Sequence, residues 1–75
     1  MHSITPGGTY TIPDDGFYIL SGDANNTGQN VRFSVNGITI LAAAPYIIAT
    51  MYFKKGTVIS TRNSSGQTYY AQRVY

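Results

Sequence analysis

Residues 38–53, ITILAAAPYIIATMYF, constrain this chain more than any other stretch, with only two polar side chains, Thr39 and Thr50, in sixteen positions. Apolar surface of that extent leaves water. A membrane, a core or another subunit can receive it. A membrane helix needs about 20 apolar residues, and Pro45 interrupts the run. The β-branched content (Ile38, Thr39, Ile40, Ile47, Ile48, Thr50) favours strands. A membrane span is rejected, and no membrane insertion is expected.

As strands, the two halves of this stretch are apolar on both faces. Tyr46, Ile48, Thr50 and Tyr52 share one face of YIIATMYF; Ile47, Ala49, Met51 and Phe53 share the other. In ITILAAA, Ile38, Ile40, Ala42 and Ala44 alternate with Thr39, Leu41 and Ala43. Strands apolar on both faces are covered on both, and a two-layer sandwich covers only one face of each sheet. The second face therefore calls for a partner subunit. A closed small barrel with a few exposed apolar residues is the alternative, since folded surfaces are largely apolar anyway.

Chain length supports the partner. Seventy-five residues make one domain, 1–75, and a chain this short buries only about 60–65% of its unfolded surface. Folds below roughly 70–80 residues rely on disulfides, metals or oligomerisation. Cysteine is absent and His2 is the only histidine, so oligomerisation remains. Residues 1–7 are expected to be a flexible N-terminal segment, and Pro6, Gly7 and Gly8 break any helix there. They have no basic start and no apolar run, so no signal peptide is expected.

Charge is sparse, at 11% of residues, with five Lys+Arg against three Asp. Arg32, Lys54, Lys55, Arg62 and Arg73 are scattered, whereas nucleic-acid domains concentrate cations on one face. No nucleic-acid partner is expected. The Thr, Ser, Asn, Gly and Tyr content describes a β surface solvated by neutral groups, and 43% hydrophobic residues argue against disorder.

Turn formers recur every eight to twelve residues or so, the spacing of an all-β sandwich or barrel. Seven strands are expected, at 9–12, 17–21, 31–35, 38–44, 46–53, 57–63 and 68–75. Asn36-Gly37 is the strongest hairpin signal, because a type I′ turn needs φ > 0 at both central residues. PDDG (13–16) fits a tight turn. KKG (54–56) and SSGQ (64–67) read as hairpin connections. In VRFSV the alternation puts Val31, Phe33 and Val35 inside, with Arg32 and Ser34 outside.

Catalytic chemistry finds no support. There is no Cys or Glu, and Asp14 and Asp15 are adjacent in a turn, whereas paired carboxylates that flank a substrate stand at least ~5 Å apart. No enzyme activity and no cofactor are expected. DANNTG (23–28) resembles the opening of a calcium loop, but Ser34 stands where the closing Glu belongs, so a plain polar loop is favoured and no metal is expected. Sequons at Asn25 and Asn63 are short enough to arise by chance in such a composition. Seven tyrosines can stack on bases or sugars, or fill an interface with their hydroxyls wet. Tyr70 and Val74 share one face of the last strand; Tyr69, Ala71, Arg73 and Tyr75 share the other.

The segments GGTYTIPDDGFYILSG, VRFSVNGITI and YFKKGTVIST, in that order, carry a resemblance. Tyr10, Pro13, Asp15, Gly16 and Phe17, then Val35, Asn36 and Gly37, then Lys54, Lys55, Gly56, Thr57 and Ile59 form its turn-and-strand grammar. The chain resembles the small jelly-roll tip domains of bacteriophage tail and head fibres, themselves similar to the tumour-necrosis-factor/C1q type of trimeric sandwich. That resemblance implies a minimal antiparallel jelly roll of about seven short strands, assembled as a homotrimer. It implies a structural and adhesive role on a virion, beside other virion proteins, at a tail fibre or as a capsid decoration. The expected interface residues are Leu41, Ile47, Met51, Phe53, Tyr70 and Val74. The polar loop 22–30 would contact a host surface glycan or protein through Asn25, Asn26, Thr27, Gln29 and Asn30. The runner-up is a monomeric small β-barrel binding carbohydrate or single-stranded nucleic acid.

Overall fold

The computed structural model describes residues 2–25, 30–63 and 65–75. Eight strands form: β1 (His2–Ile4), β2 (Thr9–Thr11), β3 (Gly16–Asp23), β4 (Val31–Val35), β5 (Ile38–Ala43), β6 (Tyr46–Phe53), β7 (Val58–Thr61) and β8 (Thr68–Arg73). They make two four-stranded antiparallel sheets, ordered β1-β8-β3-β6 and β2-β7-β4-β5. Among the described residues no helix is long and apolar enough to cross a membrane.

Among the described strands only one pair, β4 and β5, is joined as a hairpin. Asn36 (φ 52°) and Gly37 (φ 77°) take the left-handed conformations that a type I′ turn requires, and join β4 to β5 within one sheet. Every other connection crosses between sheets, including those at 54–57 and 62–67. The hairpins expected at KKG and SSGQ are therefore crossovers. Turn residues reverse the chain but do not decide which sheet receives it.

His2–Ile4 is also a strand, where a flexible segment was expected. It pairs with β8, and Ile4 enters the core beside Tyr69, its ladder partner. Thr61 secures the following turn: its hydroxyl donates to the Thr5 carbonyl (3.1 Å) and accepts from the Gly7 amide (3.1 Å).

The core between the sheets contains Tyr18, Tyr69, Phe33, Ile12, Leu20, Ile59 and Val31, all fully buried. Burying each such side chain contributes about 1.5–3 kcal/mol. Two polar features make the aromatic members compatible with burial. The Tyr18 hydroxyl donates to the Asp14 carbonyl at 2.6 Å. The Tyr69 hydroxyl donates to Gln67 Oε1 at 2.6 Å and accepts from the Arg32 amide at 3.2 Å. A bulge between Phe33 and Ser34 pairs them with Leu41 and Thr39, leaving Ile40 as the extra residue of β5. Strict alternation fails there, so Ile40 and Leu41 both pack against the core.

Candidate functional site

β3 and β6 pair over eight residues without a register shift, Phe17 facing Tyr52, Ile19 facing Thr50, Ser21 facing Ile48 and Asp23 facing Tyr46. The alternate residues, Tyr18, Leu20 and Gly22 on β3 and Ile47 and Phe53 on β6, are buried. Side-chain alternation consequently sends Phe17, Ile19, Tyr46, Ile48, Thr50 and Tyr52 away from the core. On β8, Tyr70 lies opposite Ser21 and Gln72 opposite Ile19, so they extend the same face.

This face is apolar and open. Ile48 is 71% exposed and Tyr46 62%. Phe17 makes edge-to-face contacts with Tyr52 (centroids 5.4 Å apart) and Tyr75 (5.7 Å), forming a three-ring cluster at one end. Asp23 is the only charge on these rows of β3, β6 and β8. The outer face of the other sheet presents Thr9, Thr11, Arg32, Ser34, Thr39 and Ser60, with Val58 as its large apolar residue. One sheet is wet outside and the other is not.

The expected interface residues fall differently. Ile47 and Phe53 belong to the core, and Leu41 and Met51 are partly buried against it. Ile47, Met51 and Phe53 are corrected to core-side residues because the register with β3 turns this side of β6 inward, and Leu41 because it lies opposite the buried Phe33 of β4. Tyr70 is half-buried on the outer face, and Val74, four residues later, is exposed, its amide donating to the Phe17 carbonyl (2.8 Å). The opposite side of β6 carries the exposed Tyr46, Ile48 and Tyr52, which the expected set did not include. The signal for them was the doubly apolar pattern itself, which names two faces without ranking them.

Of the expected receptor-contact residues, Asn26, Thr27 and Gln29 lie outside the described residues. Asn25 and Asn30 each hydrogen-bond to residues of the segment that leads from β7 into β8. The Asn25 amide donates to Asp23 Oδ1 (2.8 Å) and its Nδ2 to Thr68 Oγ1 (2.7 Å). The Asn30 carbonyl accepts from Arg62 Nη1 and Gln67 Nε2, each at 2.8 Å.

Charge collects at the opposite end of the sandwich. Asp14, Asp15, Lys55 and Arg73 line an open cleft of about 560 Å³. Two hydrogen bonds there are structural: the Lys55 amide donates to Asp15 Oδ1 (2.7 Å) and Arg73 Nη2 to the Asp15 carbonyl (2.9 Å). Among the described residues no three His, Cys, Asp or Glu side chains gather as a metal site. No family model, curated protein or solved structure matches this chain.

Proposed function

We propose that this chain is a structural and adhesive subunit of jelly-roll type, a homotrimer of the kind found on virion surfaces. The observation that carries the reading is the aromatic outer face of β6, β3 and β8, on which Asp23 is the single charge among the described residues. Monomeric proteins rarely leave contiguous apolar patches beyond a few hundred Å² open to water, and larger ones mark interaction sites. Aromatic enrichment and depletion of charge are the composition of an interface centre. The strand order supports this reading, since a jelly roll likewise has eight antiparallel strands in two sheets.

The trimer interface is assigned to Phe17, Ile19, Tyr46, Ile48, Tyr52 and Tyr70 in place of the core residues first expected. Residues 22–30 are the candidate contact to a host glycan or protein; of these, the described Asn25 and Asn30 lie at the end of the sandwich away from the charged cleft. The same aromatic rings could stack nucleic-acid bases, but this face carries no Lys or Arg among its described residues to meet phosphate.

Binding to a glycan array and to a single-stranded oligonucleotide, each at 50 and 300 mM salt, tests the role. Salt-insensitive glycan binding without oligonucleotide binding supports adhesion. Oligonucleotide binding that weakens steeply with salt overturns it.

A further inference from the structure

We propose that the outer edge of β6 is a separate self-association site, where two copies pair antiparallel about a two-fold axis and join their sheets. The inference concerns the edge of the strand and stands apart from the outer face on which the trimer reading rests.

β6 ends its sheet, and among the described residues no strand pairs with its outer side. A free edge presents unpaired N–H and C=O groups, which proteins blunt with shortness, charge, proline or a bulge. The other three edges are blunted: β1 and β2 have three residues each, and β5 carries the bulge at Ile40. β6 has eight residues, no charge and no proline, and pairs with β3 without a shift. Pro45 and the Lys54–Lys55 pair bracket it without interrupting it.

The flank beside that edge is also where the core is least sealed. At the β1 and β2 side, Ile4 and Ile12 are buried. At the β5 and β6 side, Ile40, Leu41, Ala49 and Met51 pack against the core yet stay partly exposed, and Ile38 is 69% exposed. Both needs, backbone pairing and apolar cover, meet on one side of the molecule.

A second copy satisfies both. Residues 38–53 contain no charged side chain, so two copies meet there without like-charge repulsion. A two-fold contact must be self-complementary, and the pleat makes it so only in certain registers. Opposed residues of an antiparallel pair share a face, so core-facing residues must oppose core-facing residues. The axis therefore passes through a residue, Ala49 or Thr50, and not between them. About Thr50, Ile47 lies opposite Phe53, Ile48 opposite Tyr52, and Thr50 opposite itself. About Ala49, Ile47 lies opposite Met51 and Tyr46 opposite Tyr52.

Residue-resolved amide exchange of the full chain, read by NMR together with the solution mass, tests this. A free edge leaves every second β6 amide pointing at water and exchanging fast; pairing protects them all. The expected result is protection along the whole of β6 and a mass of two or six times 8.2 kDa. Thr50→Lys, which sets like charges near the axis and also charges the outer face, should lower the assembled mass and restore alternate fast exchange, the second effect reading the edge alone, while β3 amides stay protected. Thr50→Val should do neither. Fast exchange at every second β6 amide in the unaltered chain overturns the proposal, as does a mass of one or three times 8.2 kDa. Twice 8.2 kDa would uphold the edge and reject the trimer, six times would uphold both, and three times would reject the edge alone.

Discussion

The Tyr69 hydroxyl donates to Gln67 Oε1 at 2.6 Å, and Gln67 Nε2 passes the chain of hydrogen bonds on to the Asn30 carbonyl at 2.8 Å. One buried phenol thus ties β8 to the start of β4 and to the loop that precedes it. Every buried side-chain polar atom among the described residues has a partner, so this network is complete.

Removing one member should therefore cost more than a hydrogen bond at the surface. Tyr69→Phe leaves Gln67 Oε1 and the Arg32 amide without their partner, which costs about 1–3 kcal/mol. Denaturant unfolding checks it: the midpoint should fall with the slope unchanged.

Gly22 makes room for the same ring. A Cβ there would lie 3.0 Å from Tyr69 Cε1 and 3.3 Å from Val31 Cβ, both fixed in the core. Gly22→Ala should destabilise by about 1–3 kcal/mol through overpacking. The near-ultraviolet signal of the tyrosines should change with it.

Ile47 and Ile48 are neighbours with opposite duties. Ile47 is 6% exposed and Ile48 71%. Ile47→Ala should lower stability by about 2–5 kcal/mol by opening a cavity. Ile48→Lys should leave β6 folded and lower the assembled mass. Paired circular dichroism and light scattering separate the two effects.

Tyr10 packs partly against the core, and burial, followed by the nearby Tyr18, raises its pKa above the ordinary 10.0. A group protonated more tightly in the folded state stabilises it fully below the unfolded pKa and loses that contribution as pH rises through the folded one. Stability should fall as pH climbs above about 10. Tyr10→Phe should show a shallower fall than the parent, read from thermal midpoints between pH 9 and 12.

Much of this architecture was legible in the residues. All seven expected strands are present, β4 and β6 with the expected bounds, because alternation and turn formers are local signals. Asn36-Gly37 marked its hairpin because few residue pairs tolerate two positive φ angles. What stayed hidden is non-local. Three residues, His2–Ile4, are too short for a periodicity, and only pairing with β8 makes them a strand. The side of β6 that faces the core follows from its register with β3, and YIIATMYF is apolar on both sides. That ambiguity placed the interface on Ile47, Met51 and Phe53. The same feature nevertheless carried the correct question, since one apolar face of β6 does remain uncovered.

Three copies are proposed to cover this face. Light scattering on the purified chain at micromolar and then nanomolar concentration tests it most directly. The expected species contains a multiple of three copies of the 8.2 kDa chain and survives dilution, and Ile48→Lys dissociates its threefold contact. A stable 8.2 kDa monomer would contradict it, leaving Phe17, Tyr46, Ile48 and Tyr52 as an open surface for some other ligand.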